Sequence, residues 1–83
     1  MERLLLQKTL KIQKKLLPPI HPELAVTYKY LMGMCGQTGD FLSMLSYSEK
    51  LLEIQEIILP STSPDLAQTK SIVTGLRLMV RRR

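Results

Sequence analysis

Apolar residues recur at helical spacing in four stretches of the chain, and no segment of useful length alternates with the period of a strand. The pattern predicts an all-α chain. In residues 3–17, Leu5, Leu6, Thr9, Leu10, Ile12, Leu16 and Leu17 keep helical spacing, with Lys and Gln between them. Pro18-Pro19 ends this stretch, because proline lacks an N–H and pushes its predecessor out of the α region. Pro22 suits a first helical position, with Glu23 in the first turn. The second helix is expected over about 22–36, with Leu24, Ala25, Tyr28, Leu31 and Cys35 on one face. Gln37-Thr38-Gly39-Asp40 reads as a turn, with Gly39 left-handed and Asp40 capping the next helix. That third helix, about 41–59, has a broad apolar face of Phe41, Met44, Leu45, Ser48, Leu51, Leu52, Ile54, Ile57, Ile58 and Leu59. Leu59-Pro60 stops it. Ser63-Pro64-Asp65 then supplies a capping serine, a proline and an acid for a fourth helix over 64–80, with Leu66, Ala67, Val73, Leu76, Met79 and Val80 apolar.

The pattern repeats. Shifted by 42 residues without a gap, residues 10–34 match 52–76 at Leu10/Leu52, Ile12/Ile54, Gln13/Gln55, Leu17/Leu59, Pro18/Pro60, Pro22/Pro64, Leu24/Leu66, Ala25/Ala67, Thr27/Thr69 and Gly33/Gly75. Ten identities fall in 25 positions, where unrelated residues give about one or two, and such a fixed period is the mark of stacked repeats. The links 18–21 and 60–63 are therefore expected to form the same turn.

Composition narrows the class. Eighty-three residues with 45% hydrophobic content make one small globular domain with a marginal core. No apolar run is long enough for a membrane span, and Leu4-Leu5-Leu6 is too short for a signal-peptide core, so the chain reads as cytoplasmic or nuclear. The single cysteine, Cys35, excludes an internal disulfide and suits a reducing compartment. The net charge of +5 is uneven: Arg3, Lys8, Lys11, Lys14 and Lys15 crowd the start, Arg77 and Arg81-Arg82-Arg83 the end, and Asp40, Glu49, Glu53, Glu56 and Asp65 the middle. Basic helix ends complement the helix dipole; the same asymmetry also suits nucleic acid, an acidic peptide or anionic lipid.

Candidate chemistry is sparse. His21 and Cys35 are the only residues of their kinds, so spacing builds neither a metal cluster nor a Cys–His pair. His21 is read as a weak cap and Cys35 as a small core residue. Gly33, Gly36 and Gly39 lack the preceding strand and following Lys-Ser/Thr of a phosphate loop and are read as close helix approach and a turn. Glu49, Glu53 and Glu56, with Lys50 among them, form a solvated stripe and not a catalytic carboxylate pair. Tyr28 is expected in the core, leaving Tyr30 and Lys29 on the surface, too few for a stacking platform. No enzyme, cofactor or metal is implied.

The run His21-Pro22-Glu23-Leu24-Ala25, Tyr28, Leu31, Gly39-Asp40-Phe41, Tyr47 and Glu49-Lys50-Leu51-Leu52-Glu53-Ile54-Gln55 resembles the 42-residue tetratricopeptide repeat of kinesin light chains and their relatives, over about residues 8–76. The resemblance implies a solenoid of helix-turn-helix pairs, here four antiparallel helices in one domain, 1–83. Residues 3–17 would be the second helix of a partial repeat, 22–59 a complete repeat, and 64–80 the first helix of an incomplete one. Bulky Met32, Met44 and Leu51 stand where the family favours small residues, implying wider crossing or shifted packing. HEAT and armadillo repeats have a similar period but give no reason for the Thr38-Gly39-Asp40-Phe41 turn.

By this resemblance the chain is expected to be a non-enzymatic protein–protein interaction module or scaffold. Its groove, lined by the first helix of each pair, would be built from Val26, Lys29, Gly33, Gly36, Gln68, Ser71, Gly75 and Leu78, and would take a protein or peptide partner or an adjacent repeat. The alternatives are a basic helical nucleic-acid binder, the less favoured of the two, and a purely structural piece of a longer solenoid. Both end helices lack an outer partner, and the last reads as apolar almost all round. Self-association, with end-to-end stacking as the leading mode, or else marginal stability with an uncooperative melt is therefore expected.

Overall fold

The computed structural model describes residues 2–81, without the side chain of Glu2. It contains α1 (Glu2–Leu16), α2 (Pro22–Thr38), α3 (Phe41–Ile58) and α4 (Pro64–Arg81), with no strand among the described residues. Each helix packs on the next along the chain, α1 on α2, α2 on α3 and α3 on α4. The result is a slab of 38 × 35 × 17 Å. Two helix layers about 10 Å apart account for the short dimension.

The helix ends are set by their caps. His21 is extended and its Nδ1 accepts the Glu23 N–H at 3.1 Å, while Pro22 occupies the first turn. Gly39 is left-handed at φ 75, and it is the only residue with positive φ among those described. Its N–H reaches the Gly36 carbonyl at 3.4 Å and the Asp40 N–H reaches that of Cys35 at 2.9 Å, the paired bonds of a Schellman cap. Because the cap falls at Gly39, α2 continues through Gly36 and Gln37 to Thr38, past the expected end near Gly36. Asp40 caps α3 by accepting the Ser43 N–H at 3.3 Å, as its position before Phe41 predicts. Leu59 turns extended ahead of Pro60 and ends α3. At Ser63 it is the carbonyl that serves the next helix, accepting the Ala67 N–H at 3.2 Å.

The 42-residue offset reappears in hydrogen bonds. Leu17 N–H donates to the Gln13 carbonyl at 2.7 Å and Leu59 N–H to that of Gln55 at 2.9 Å. The Thr27 hydroxyl oxygen lies 3.2 Å from the Glu23 carbonyl oxygen and the Thr69 hydroxyl oxygen 3.0 Å from that of Asp65. The helix ends are thus equivalent, but the links are not the same turn. In 60–63 the Ser63 N–H closes on the Pro60 carbonyl at 2.9 Å, whereas Pro19-Ile20 only bends. The difference lies in the residues: Ile20 packs against the core, and polar Ser61 and Thr62 stay exposed.

Leu10, Leu24, Tyr28, Leu31, Met32, Leu51 and Ile54 form the central cluster, with Ile72 of α4 packed against it; Leu66, Val73 and Leu76 of α4 are also buried. Cys35 is fully buried. The Tyr28 ring lies 6.2 Å from that of Tyr47, tilted by 41°. Met32 and Leu51 are buried, and Met44 finds its room over Gly36, where an added Cβ would stand 3.5 Å from its Sδ and Cε. Only part of α1's apolar pattern is core. Leu6 and Leu10 turn inward, as does Leu17 just past the helix, while Leu5, Ile12 and Leu16 are exposed because no helix among the described residues packs on that side of α1. α4 also departs from expectation. It buries Leu66, Thr69, Val73 and Leu76 on one face, and the flank Ala67, Lys70, Thr74, Arg77 and Arg81 is exposed. Those positions match Ala25, Tyr28, Met32 and Cys35 of α2 and its cap Gly39, so the flank a further repeat would bury is polar and cationic. The last helix is not apolar all round: its exposed large apolar residues reduce to Leu78 and Met79. Arg82 and Arg83 lie outside the described residues.

Candidate functional site

The periodicity that buries Leu24, Thr27 and Leu31 of α2 forces Val26, Lys29 and Gly33 outward, and likewise Gln68, Ser71, Gly75 and Leu78 of α4 opposite Leu66, Thr69 and Val73. Seven of the eight groove candidates are therefore exposed. Gly36 is the exception; it is half-buried and turned toward Met44 of α3. Gly33 and Gly75 do not serve close helix approach. A Cβ at either would meet nothing within 4 Å, so both leave bare backbone on an open surface.

Lys29 and Gln68 are brought together. With Asp65, Thr69, Ile72 and Gln55 they enclose a small cavity of about 60 Å³ between α2, α3 and α4. Gln55 is 6% exposed, and its side-chain oxygen is buried with no hydrogen-bond partner. Its repeat counterpart is satisfied, since the Thr27 hydroxyl donates to the Gln13 Oε1 at 2.7 Å. The matching Thr69 hydroxyl bonds only the Asp65 carbonyl and does not reach Gln55. A buried amide oxygen without a donor costs free energy that a bound N–H or O–H group recovers. Gln55 lines this cavity, and Lys29, Gln68 and Asp65 bring an ammonium, an amide and a carboxylate to it. Gln55 drew no notice as a site residue in the sequence; its only signal was its identity with Gln13 at the repeat offset.

A larger cleft of about 340 Å³ opens where the 17–21 link meets α2 and α3, with Leu17, Ile20, Leu24, Tyr28 and Ile54 as its apolar lining and Lys14, Lys50 and Glu53 around it. Sequence reasoning missed it, because it depends on Ile20 folding inward. Nearby chemistry is structural. Arg3 donates to Asp40 at 2.8 Å and ties the start of α1 to the α2–α3 turn. That bond, with those from Ser43, holds the Asp40 carboxyl below the usual aspartate range. Burial pushes the Cys35 thiol up, so it is a poor nucleophile. Among the described residues no three His, Cys, Asp or Glu side chains converge as metal ligands, and no helix is long and apolar enough to cross a membrane.

No protein-family model matches the chain, and no curated protein or solved structure matches it.

Proposed function

We propose that the chain is a tetratricopeptide-like, non-enzymatic interaction module of the kinesin-light-chain type, which receives an extended peptide or a helix of a protein partner across the outer faces of α2 and α4. The reading rests on one observation: Lys29 and Gln68, each drawn from a different repeat unit of the 42-residue pattern, line the same cavity as Gln55, whose buried side-chain oxygen has no hydrogen-bond partner. A peptide N–H or a short polar side chain satisfies that oxygen, Lys29 attracts an acidic residue, and the bare backbone at Gly33 and Gly75 lets the ligand approach closely. A reducing compartment, the cytoplasm, suits the lone buried thiol. The scaffold role, in which adjacent repeats or further copies are the partners, uses the same helical faces.

The test is selection of a random peptide library on the immobilised protein, and then titration of the selected peptides. Lys29→Glu and Gln68→Ala should weaken binding about tenfold or more, the scale of one lost charge-assisted contact. Peptides that bind both variants as tightly as the parent would overturn the proposal. The nucleic-acid alternative predicts instead binding to random oligonucleotides that collapses with added salt.

A further inference from the structure

α1 carries a stripe that no helix of the chain covers. Leu5, Thr9, Ile12 and Leu16 share one side, with Leu5, Ile12 and Leu16 at 63%, 59% and 77% exposure. The repeat offset places Thr9, Ile12 and Leu16 at the positions of Leu51, Ile54 and Ile58, and Leu51 and Ile54 are buried in α3. Beside the stripe, Lys8, Lys11 and Lys15 surround Ile12 in a shallow depression of about 310 Å³. Such a face takes an occupant that brings both apolar contact and negative charge.

This chain itself carries one. The outward side of α3 presents Glu49, Glu53 and Glu56 around the half-buried Leu52, in a depression of about 300 Å³ that Lys50 and Arg77 also border. Glu49 already pairs with Arg77 at 2.9 Å and Glu53 with Lys50 at 3.7 Å, so the face is acidic but not bare. The spacings match in reverse. Lys8, Lys11 and Lys15 are separated by three and four residues, and so are Glu56, Glu53 and Glu49 read backwards. Laid antiparallel, the two helices set Lys8 by Glu56, Lys11 by Glu53 and Lys15 by Glu49, and the same register puts Ile12 over Leu52. The alternative contact, α4 of one copy stacked end to end on α1 of the next, brings Lys70, Arg77 and Arg81 toward the α1 lysines, and like charges oppose it.

We infer that the lysine face of α1 docks antiparallel on the glutamate face of α3 in a second copy of this chain. The two faces differ, so the contact is heterologous and each added copy leaves one of each face free. The inference is independent of the α2–α4 groove.

Sedimentation of the intact chain tests it with paired charge reversals at exposed positions. The weight-average mass of the parent protein should rise across a concentration series into the high micromolar range, and less so at high salt, because these pairs are screened. Lys8→Glu/Lys11→Glu/Lys15→Glu and Glu53→Lys/Glu56→Lys should each stay at the monomer mass. Mixed one to one, they should associate again, since each variant then offers the charge the other lacks. Circular dichroism establishes that both variants fold, and Lys11→Gln/Lys15→Gln gives a milder second probe with association between parent and reversal. A parent that stays monomeric throughout, reversed variants that associate like the parent, or folded variants whose mixture remains monomeric would each overturn the inference.

Discussion

Gly33→Ala and Gly75→Ala should each stabilise the protein, although both residues are identical across the repeat offset. Each lies inside a helix, in α2 and α4, and an added methyl group meets no atom within 4 Å. The only terms left are backbone entropy and helix propensity, which favour Ala over Gly by about 0.5–1 kcal/mol in a helix interior. The sites share no partner, so the double variant should gain about 1–2 kcal/mol. For a domain of this size that raises Tm by about 4–8 °C for each kcal/mol. Urea melts monitored by circular dichroism measure it, with an unchanged slope showing that the native fold persists. Gly39→Ala is the internal control. It too has open space around it, yet its φ of 75 penalises any Cβ, so it should lose about 1–2 kcal/mol. If Gly33→Ala and Gly75→Ala destabilise, or if Gly39→Ala is neutral, the separation of the glycines into surface and turn roles is wrong.

Gln55→Met should be neutral or stabilising by about 1 kcal/mol, because it removes an unpaired buried oxygen, whereas Gln13→Met should cost about 1 kcal/mol for the lost Thr27 bond; equal losses in chemical melts would contradict the asymmetry. Leu31→Ala or Leu51→Ala should cost about 2–5 kcal/mol, and Leu16→Ala at 77% exposure should stay within about 0.5 kcal/mol. Asp40→Asn keeps a capping acceptor but loses the Arg3 ion pair. The folded-state carboxyl titrates below its ordinary value, so its contribution is whole above the normal aspartate range and drains away as pH falls through the folded value. The stability gap between parent and Asp40→Asn should be widest near neutrality and close in acid; a gap that grows in acid would reverse the sign of this reasoning.

Four helices and their stops were legible because proline and glycine act locally. Pro18, Pro22, Pro60 and Pro64 mark boundaries through their own dihedral limits, and Gly39-Asp40 marks a turn through a left-handed residue and then a cap. The rest was not legible, because it depends on neighbours in space. The apolar face of α1 is broad, so periodicity could not say that Leu10 on one side of it would be buried and Ile12 on the other exposed. α4 looked apolar in composition, but only its packing against α3 reveals which residues remain outside. The outward groove residues could be placed from the repeat register, yet the Gln55 oxygen could not, since the identical Gln13 is reached by Thr27 while Gln55 is not reached by the matching Thr69.

The most direct test of the groove reading is amide chemical-shift mapping of a library-selected peptide on the labelled chain, at a concentration where the protein alone is monomeric. Perturbations should converge on Lys29, Gly33, Gln68, Thr69 and Gly75, with the Gln55 side-chain amide among the largest. Perturbations confined to the α1 lysines or to the 17–21 cleft, with Gln55 and Gln68 unmoved, would contradict it.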